Sequence, residues 1–119
     1  MKRERFKFEK LEVYQRALRL VERVYLLTKR WPKEYLYDLI SQFRRAALSI
    51  LLNIAEGSGR SKREFGRYLD IAVGSGKECV ALIDLAAHLG LLTDKERENL
   101  YNELTEVILM LGGLKRSLR

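Results

Sequence analysis

Apolar residues recur every three or four positions along almost the whole chain, and this spacing favours helices over strands. The breaks between the apolar runs fall at the only proline, Pro32, and at glycines such as Gly57, Gly59 and Gly90. No run alternates with period two, and no Asn-Gly or Asp-Gly pair suggests a hairpin. The spacing predicts an all-α protein with helices at about residues 9–30, 33–56, 62–89 and 94–118.

Short links join these predicted helices, and local signals mark their ends. Ser61 and Thr93 are each followed three residues later by a glutamate, which is the pattern of a capping box at a helix start. Gly90 stands where a helix commonly ends on a left-handed residue. Four helices of similar length with short links favour an antiparallel up-down-up-down four-helix bundle, formed as a single domain over residues 1–119.

The first helix carries more apolar residues than one buried face requires. They cover an arc of roughly 200°, where a surface helix often needs little more than 100°. The arc contains Leu11, Tyr14, Leu18, Val21 and Tyr25, extended by Val13, Ala17, Leu20, Val24 and Leu27. This excess is explained either by a subunit interface or by contact with two neighbouring helices inside the bundle.

The opposite side of the same helix is basic, with Arg16, Arg19, Arg23 and Arg30 in one narrow sector. Residues 1–30 contain ten basic and four acidic side chains, so they carry +6 of the net charge of +7. Such a row predicts either a contact with a polyanion or a solvated face. After the second helix, Arg60, Lys62 and Arg63 form a second set that could hold a phosphate at a helix start.

Polar residues at helical spacing flank the apolar side of the second and third helices. We expect them to form a structural network between the two helices, with Arg45 against Glu56 or Glu78; a ligand site is the alternative. The predicted network comprises Gln42, Arg45, Ser49, Asn53, Glu56, Ser75 and Glu78.

Catalytic and metal-binding patterns are missing from the sequence. With one cysteine, Cys79, and one histidine, His88, the chain lacks the ligands of a zinc site or of a di-iron bundle. We therefore expect no catalytic residue, no metal and no cofactor. Cys79 lies in an apolar run and is expected to be a buried thiol, which fits a cytoplasmic protein. No stretch is long and apolar enough for a membrane span.

Two motifs resemble a known family. Residues 42–49, Gln-Phe-Arg-Arg-Ala-Ala-Leu-Ser, followed by Asn-Ile-Ala-Glu-Gly at 53–57, are similar to the signature of proteins encoded in bacterial 23S rRNA intervening sequences. Phe65, Tyr68, Gly74 and Glu78 are similar to the family's third-helix motif. The resemblance implies an antiparallel bundle that forms a homopentamer without known catalytic activity. It also implies distant kinship with the accessory variability determinant of diversity-generating retroelements, which binds nucleic acid and a reverse transcriptase.

Charge and resemblance together predict a non-catalytic, oligomeric protein that binds RNA or DNA, mainly through the phosphate backbone. The alternative is a protein-interaction scaffold, or an accessory subunit that recruits a nucleic-acid enzyme such as a reverse transcriptase. The expected nucleic-acid contacts are Arg16, Arg19, Arg23 and Arg30, with Arg60, Lys62 and Arg63 as the second set.

Overall fold

The computed structural model describes residues 6–119, and every regular element in that range is helical. The α-helices span Glu12–Thr28 (α1), Ser41–Ser58 (α2), Lys62–His88 (α3) and Asp94–Ser117 (α4), and a 3₁₀ turn at Lys7–Lys10 precedes α1. The all-α prediction with four helices is thus confirmed for the described residues. Residues 1–5, which include part of the basic leader counted above, lie outside them.

The links around Pro32 differ from the prediction of one continuous second helix. Pro32 is extended, with ψ at 143°, and it is followed by a 3₁₀ turn at Lys33–Tyr35. A π-helical turn at Leu36–Ile40 then leads into α2 at Ser41. The predicted start at residue 33 was wrong because apolar spacing does not separate 3₁₀ and π turns from the first turns of an α-helix.

Local hydrogen bonds explain where α3 and α4 begin and where α3 ends. The Ser61 hydroxyl accepts a hydrogen bond from the Glu64 backbone N–H (3.2 Å). Thr93 and Glu96 form a complete capping box, with bonds of 3.1 and 3.0 Å. Gly90 has a φ of +78°, which ends α3 in the left-handed conformation that glycine adopts most easily.

The core lies along the middle of the bundle and is built from all four helices. Each helix packs against two others, in the order α1–α2–α3–α4–α1, and α2 and α3 share the most extensive contact. Phe43, Ile50 and Ile54 of α2 are almost fully buried, as are Leu104 and Leu111 of α4. These contacts form a helical bundle around one continuous hydrophobic core.

The wide apolar arc of α1 divides into a buried stripe and a partly exposed flank. Val13, Ala17, Leu20, Val21 and Val24 are buried in the core. Leu11, Tyr14 and Leu27 are half-buried against it. On the flank, Leu18 remains 43% exposed and Tyr25 36% exposed. Contact with two neighbouring helices therefore accounts for part of the arc, and an uncovered part remains.

Candidate nucleic-acid interface

The predicted arginine row of α1 lies beside acidic residues of α4. Arg16 donates hydrogen bonds to the Glu106 carboxylate, at 2.8 Å for the longer one, and Arg23 lies 3.0 Å from Glu103. Arg30 is paired with Glu96 at 2.6 Å. Arg19 is the member of the row that forms no ion pair with a described residue. The row is thus largely neutralised within the chain.

The pKa values of two of these groups shift in the direction that keeps the pairs ionised. The hydrogen bond to Glu106, and then its negative charge, raises the pKa of the Arg16 guanidinium. The Thr93 backbone N–H, followed by the Arg30 guanidinium, lowers the pKa of Glu96 below its ordinary value. The Glu96 carboxylate therefore offsets the charge of Arg30 at neutral pH, and the exposed edges of the paired guanidinium groups remain open to a ligand.

A second basic surface lies where the start of α3 meets the end of α4. It is a groove of about 450 Å³, which we call the basic groove. Its lining consists of Lys62, Arg63, Gly66, Arg67, Asp70, Lys115, Leu118 and Arg119. Lys115 is bound to Asp70 at 2.7 Å, whereas Lys62, Arg63, Arg67 and Arg119 form no ion pair with a described residue. Four cations without an ion pair therefore surround one groove, and their charges favour an anion there.

Helix geometry brings these cations together. The Ser61 cap fixes the first turn of α3, which places Lys62 and Arg63 at its amino-terminal end. Arg67 follows Arg63 by four residues and so lies one turn further along the same side. The orphan N–H groups of this first turn add positive potential to the side-chain charges. Lys115 in the last turn of α4 and Arg119 just after this helix form the other wall of the groove.

The second predicted set, Arg60, Lys62 and Arg63, does not lie on one surface. Lys62 and Arg63 line the basic groove, but Arg60 does not. Arg60 is paired with Glu56, and its guanidinium lies 5.5 Å from the centre of the Tyr68 ring. Sequence reasoning missed Arg67 and Arg119. The spacing from Arg63 could have indicated Arg67, whereas Arg119 joins the groove only through the packing of α4 on α3.

The predicted polar network between α2 and α3 is present in part. The hydroxyls of Ser49 and Ser75 share a hydrogen bond of 2.7 Å, and the Asn53 amide donates to the Ser49 hydroxyl at 3.1 Å. The Gln42 amide donates to the Glu78 carboxylate.

The expectation that Arg45 faces Glu56 or Glu78 was wrong. Glu56 is paired with Arg60, and Arg45 is exposed without an ion pair to a described residue. Arg45 instead lines a groove that it shares with Tyr25 and Tyr37.

A third surface lies between α1, the π-helical turn and α2. It is a groove of about 440 Å³ lined by Tyr25, Leu36, Tyr37, Ile40, Ser41, Arg44, Arg45 and Leu48. Arg44 lies 4.6 Å from the centre of the Tyr25 ring and donates a hydrogen bond to the Thr28 hydroxyl at 2.9 Å. Tyr37 is 92% exposed, so its ring has almost no contact within the described chain.

Comparison with known proteins identifies the family of the chain. The family model of the 23S rRNA-intervening sequence protein matches residues 9–113. The chain belongs to this family. A crystal structure from Bacteroides thetaiotaomicron, described as a protein of unknown function from the S23 ribosomal protein family, has a similar fold. Its TM-score is 0.80 at 23% identity, over 87% of this chain and 95% of that one. No match was found among curated proteins.

Two further observations concern what this family member contains. Among the described residues, no group of three or more His, Cys, Asp or Glu side chains could hold a metal ion. None of the described helices is long and apolar enough to cross a membrane.

Proposed function

We propose that this protein is a non-catalytic, oligomeric, cytoplasmic nucleic-acid-binding protein that contacts mainly the phosphate backbone. The basic groove carries the proposal, because four cations without carboxylate partners surround it. Phosphate binding releases condensed counterions, and the groove offers its charges without first breaking an ion pair. The row of Arg16, Arg19, Arg23 and Arg30 becomes the secondary surface, since three of its members would have to leave or share a glutamate of α4.

The test compares two triple variants that remove the same charge. Lys62→Gln, Arg63→Gln and Arg67→Gln change the basic groove; Arg16→Gln, Arg23→Gln and Arg30→Gln change the paired row. Binding of a labelled RNA and a labelled DNA is measured at several salt concentrations. Each phosphate contact contributes roughly 0.7 to 0.9 to the slope of log K against log salt. We expect the groove variant to lose a slope of about 2 and the row variant clearly less.

Two results would contradict this proposal. Equal losses of this slope in the two variants would mean that affinity depends on net charge and not on the position of the charges in the basic groove. Wild-type binding that is independent of salt would remove the phosphate contact altogether. Circular dichroism spectra of both variants check that the helices are retained.

The four helices, we further propose, follow an up-down-up-down antiparallel order. The order of the ion pairs supports this arrangement: moving forward from Arg16 in α1 to Arg30 just after it, the partners in α4 move backward from Glu106 to Glu96. A double-mutant cycle on Arg30 and Glu96, which lie just after the end of α1 and near the start of α4, should give a favourable coupling of about 0.2–1 kcal/mol, whereas a parallel arrangement would keep these two positions apart and give none.

The oligomer proposed here is a homopentamer, as the family resemblance implies. The uncovered flank of α1 supports association, because Leu18 is 43% and Leu26 59% exposed. Sedimentation equilibrium should give five chains for the wild type and a smaller assembly for Leu18→Glu with Leu26→Glu. Leu109→Glu, on α4, is the control and should leave the assembly intact. A monomeric wild type would end this part of the proposal.

A second candidate function is a protein-interaction scaffold, or an accessory subunit that recruits a nucleic-acid enzyme such as a reverse transcriptase. The groove between α1 and α2 favours it, since tyrosine and arginine are the residues that most often dominate protein interfaces. Affinity capture with and without nuclease separates the two candidates. Partners that survive nuclease and are lost in Tyr37→Ala favour the scaffold, and partners lost on nuclease treatment favour nucleic-acid binding.

A further inference from the structure

A smaller groove adjoins the basic groove across α3. It encloses about 280 Å³ and is lined by Glu64, Arg67, Tyr68 and Ile71. Arg67 lines both grooves, so its side chain forms the wall between them. We call this smaller groove the aromatic groove. Two sites with different chemistry therefore lie side by side on the first three turns of α3.

From this juxtaposition we propose that the protein prefers single-stranded nucleic acid, with phosphates in the basic groove and an unpaired base against Tyr68 in the aromatic groove. The inference rests on the proposed function, because it assigns the form of nucleic acid that the same end of the bundle binds. A single strand exposes the faces of its bases for stacking on aromatic side chains, whereas a duplex keeps them stacked inside.

Tyr68 is held firmly enough to serve as a stacking platform. A Cβ atom added to Gly57 would lie only 2.7 Å from the Tyr68 Cβ atom, so the backbone of α2 fixes the root of this side chain. Arg60 lies over the ring at 5.5 Å from its centre and is itself anchored by Glu56. This cation contact helps to hold the ring in place, and the part of Tyr68 that lines the aromatic groove is available to a base.

The two grooves differ in the ligand group that they favour. The basic groove contains one carboxylate, Asp70, and Lys115 already binds it. The aromatic groove contains Glu64, whose carboxylate accepts a hydrogen bond from the Ser61 hydroxyl at 3.1 Å. A phosphate beside Glu64 would be repelled, whereas a base can donate an amino hydrogen to a carboxylate. The apolar side chain of Ile71, which is half exposed, suits the face of a base as well.

The test uses fluorescence anisotropy with three probes of one sequence: single-stranded RNA, single-stranded DNA and the corresponding DNA duplex. We expect Tyr68→Ala to weaken single-strand binding by about tenfold while duplex binding changes by less than about twofold. Tyr68→Phe keeps the ring and should keep the preference. Tyr101→Ala, which removes a half-exposed tyrosine of α4, is the matched control and should change neither affinity.

A second variant guards against loss of folding in Tyr68→Ala. Ile71→Ser changes an exposed position of the same groove, removes its apolar contact with a base without adding charge, and should also weaken single-strand binding selectively. Equal affinity of the wild type for single strand and duplex would overturn the inference. So would equal losses for both probes in the Tyr68 and Ile71 variants.

Failure of this inference can be distinguished from failure of the proposed function. Salt-dependent binding that is lost in the basic-groove variant but shows no single-strand preference leaves the proposed function in place and rejects the aromatic groove. Absence of binding to all three probes rejects both. Binding of an acidic peptide to the aromatic groove in competition with RNA would assign it to a protein partner and also reject the inference.

Discussion

Replacing Gly57 by alanine tests the packing that positions the candidate site. Gly57 is buried near the end of α2, where this helix meets the start of α3. An alanine Cβ atom would lie 2.7 Å from the Tyr68 Cβ atom and 2.9 Å from Cδ1 of Phe65. The Tyr68 Cβ atom is bonded directly to the backbone of α3, so rotation about the side-chain bonds cannot remove the clash. The two helices must therefore move apart.

Two opposing terms set the size of the effect. Overpacking a tight contact typically costs about 1–3 kcal/mol. Alanine in place of glycine inside a helix raises the free energy of unfolding by about 0.5–1 kcal/mol. We therefore expect Gly57→Ala to lower the free energy of unfolding by about 1–2 kcal/mol. For a chain of 119 residues, this corresponds to a fall in Tm of roughly 4–8 °C.

Thermal and urea unfolding, followed by circular dichroism at 222 nm, measure this change. The protein concentration must be the same throughout, because association would couple to the apparent stability. Gly74→Ala is the matched control: Gly74 also lies inside a helix, but an added Cβ atom would have no neighbour within 4 Å. It should raise the stability by about 0.5–1 kcal/mol. If Gly57→Ala raised the stability to the same extent as Gly74→Ala, the close approach of α2 and α3 would be refuted.

Further predictions concern the buried thiol, the second helix cap and the polar network. Burial raises the pKa of the Cys79 thiol to about 12, so iodoacetamide at pH 8 should label it only after unfolding; rapid labelling of the native protein would contradict its burial. Thr93→Ala should cost about 1 kcal/mol of stability at pH 7, measured by urea unfolding. Folding lowers the pKa of Glu96, so the stabilisation that its carboxylate provides is present above the unfolded pKa and is lost as pH falls through the folded pKa. The difference in stability between Glu96→Gln and the wild type should therefore narrow below about pH 4. Ser75→Ala removes the 2.7 Å bond to Ser49 and should cost about 1 kcal/mol in the same assay, while an unchanged midpoint would show that this bond contributes nothing net.

Features that depend on a few neighbouring residues could be predicted from the sequence. The spacing of apolar residues located four helices, and the caps at Ser61 and Thr93 were correctly expected because a cap joins residues only three positions apart. Gly90 was recognised for the same reason. The π-helical turn at Leu36–Ile40 was missed, since its conformation depends on the packing of Leu39 and Ile40 into the core.

The candidate site depends on which helices meet, and local patterns do not contain this information. The contacts of Ser49 with Ser75 and of Gln42 with Glu78 were anticipated because these polar residues interrupt the apolar sides of two consecutive helices. The partner of Arg45 was predicted wrongly because its angle around α2 is close to those of Gln42 and Ser49, which do face α3. Tyr68 was noted only as part of a family motif, and its place beside Arg60 became visible from the packing on Gly57.

The distribution of charge along the chain differs from its distribution in space. By sequence, residues 1–30 hold +6 of the net charge of +7, and the last 29 residues have five cations and five anions. In α4, however, the anions lie between residues 94 and 106, and Glu96, Glu103 and Glu106 are paired with arginines of the row at Arg30, Arg23 and Arg16. The cations at the end of α4 consequently lack anionic neighbours on their own helix and meet the basic start of α3. The ion pairs with α4 thus neutralise most of the arginine row, whereas four cations of the basic groove stay unpaired. We therefore expect a phosphate to bind in the basic groove first.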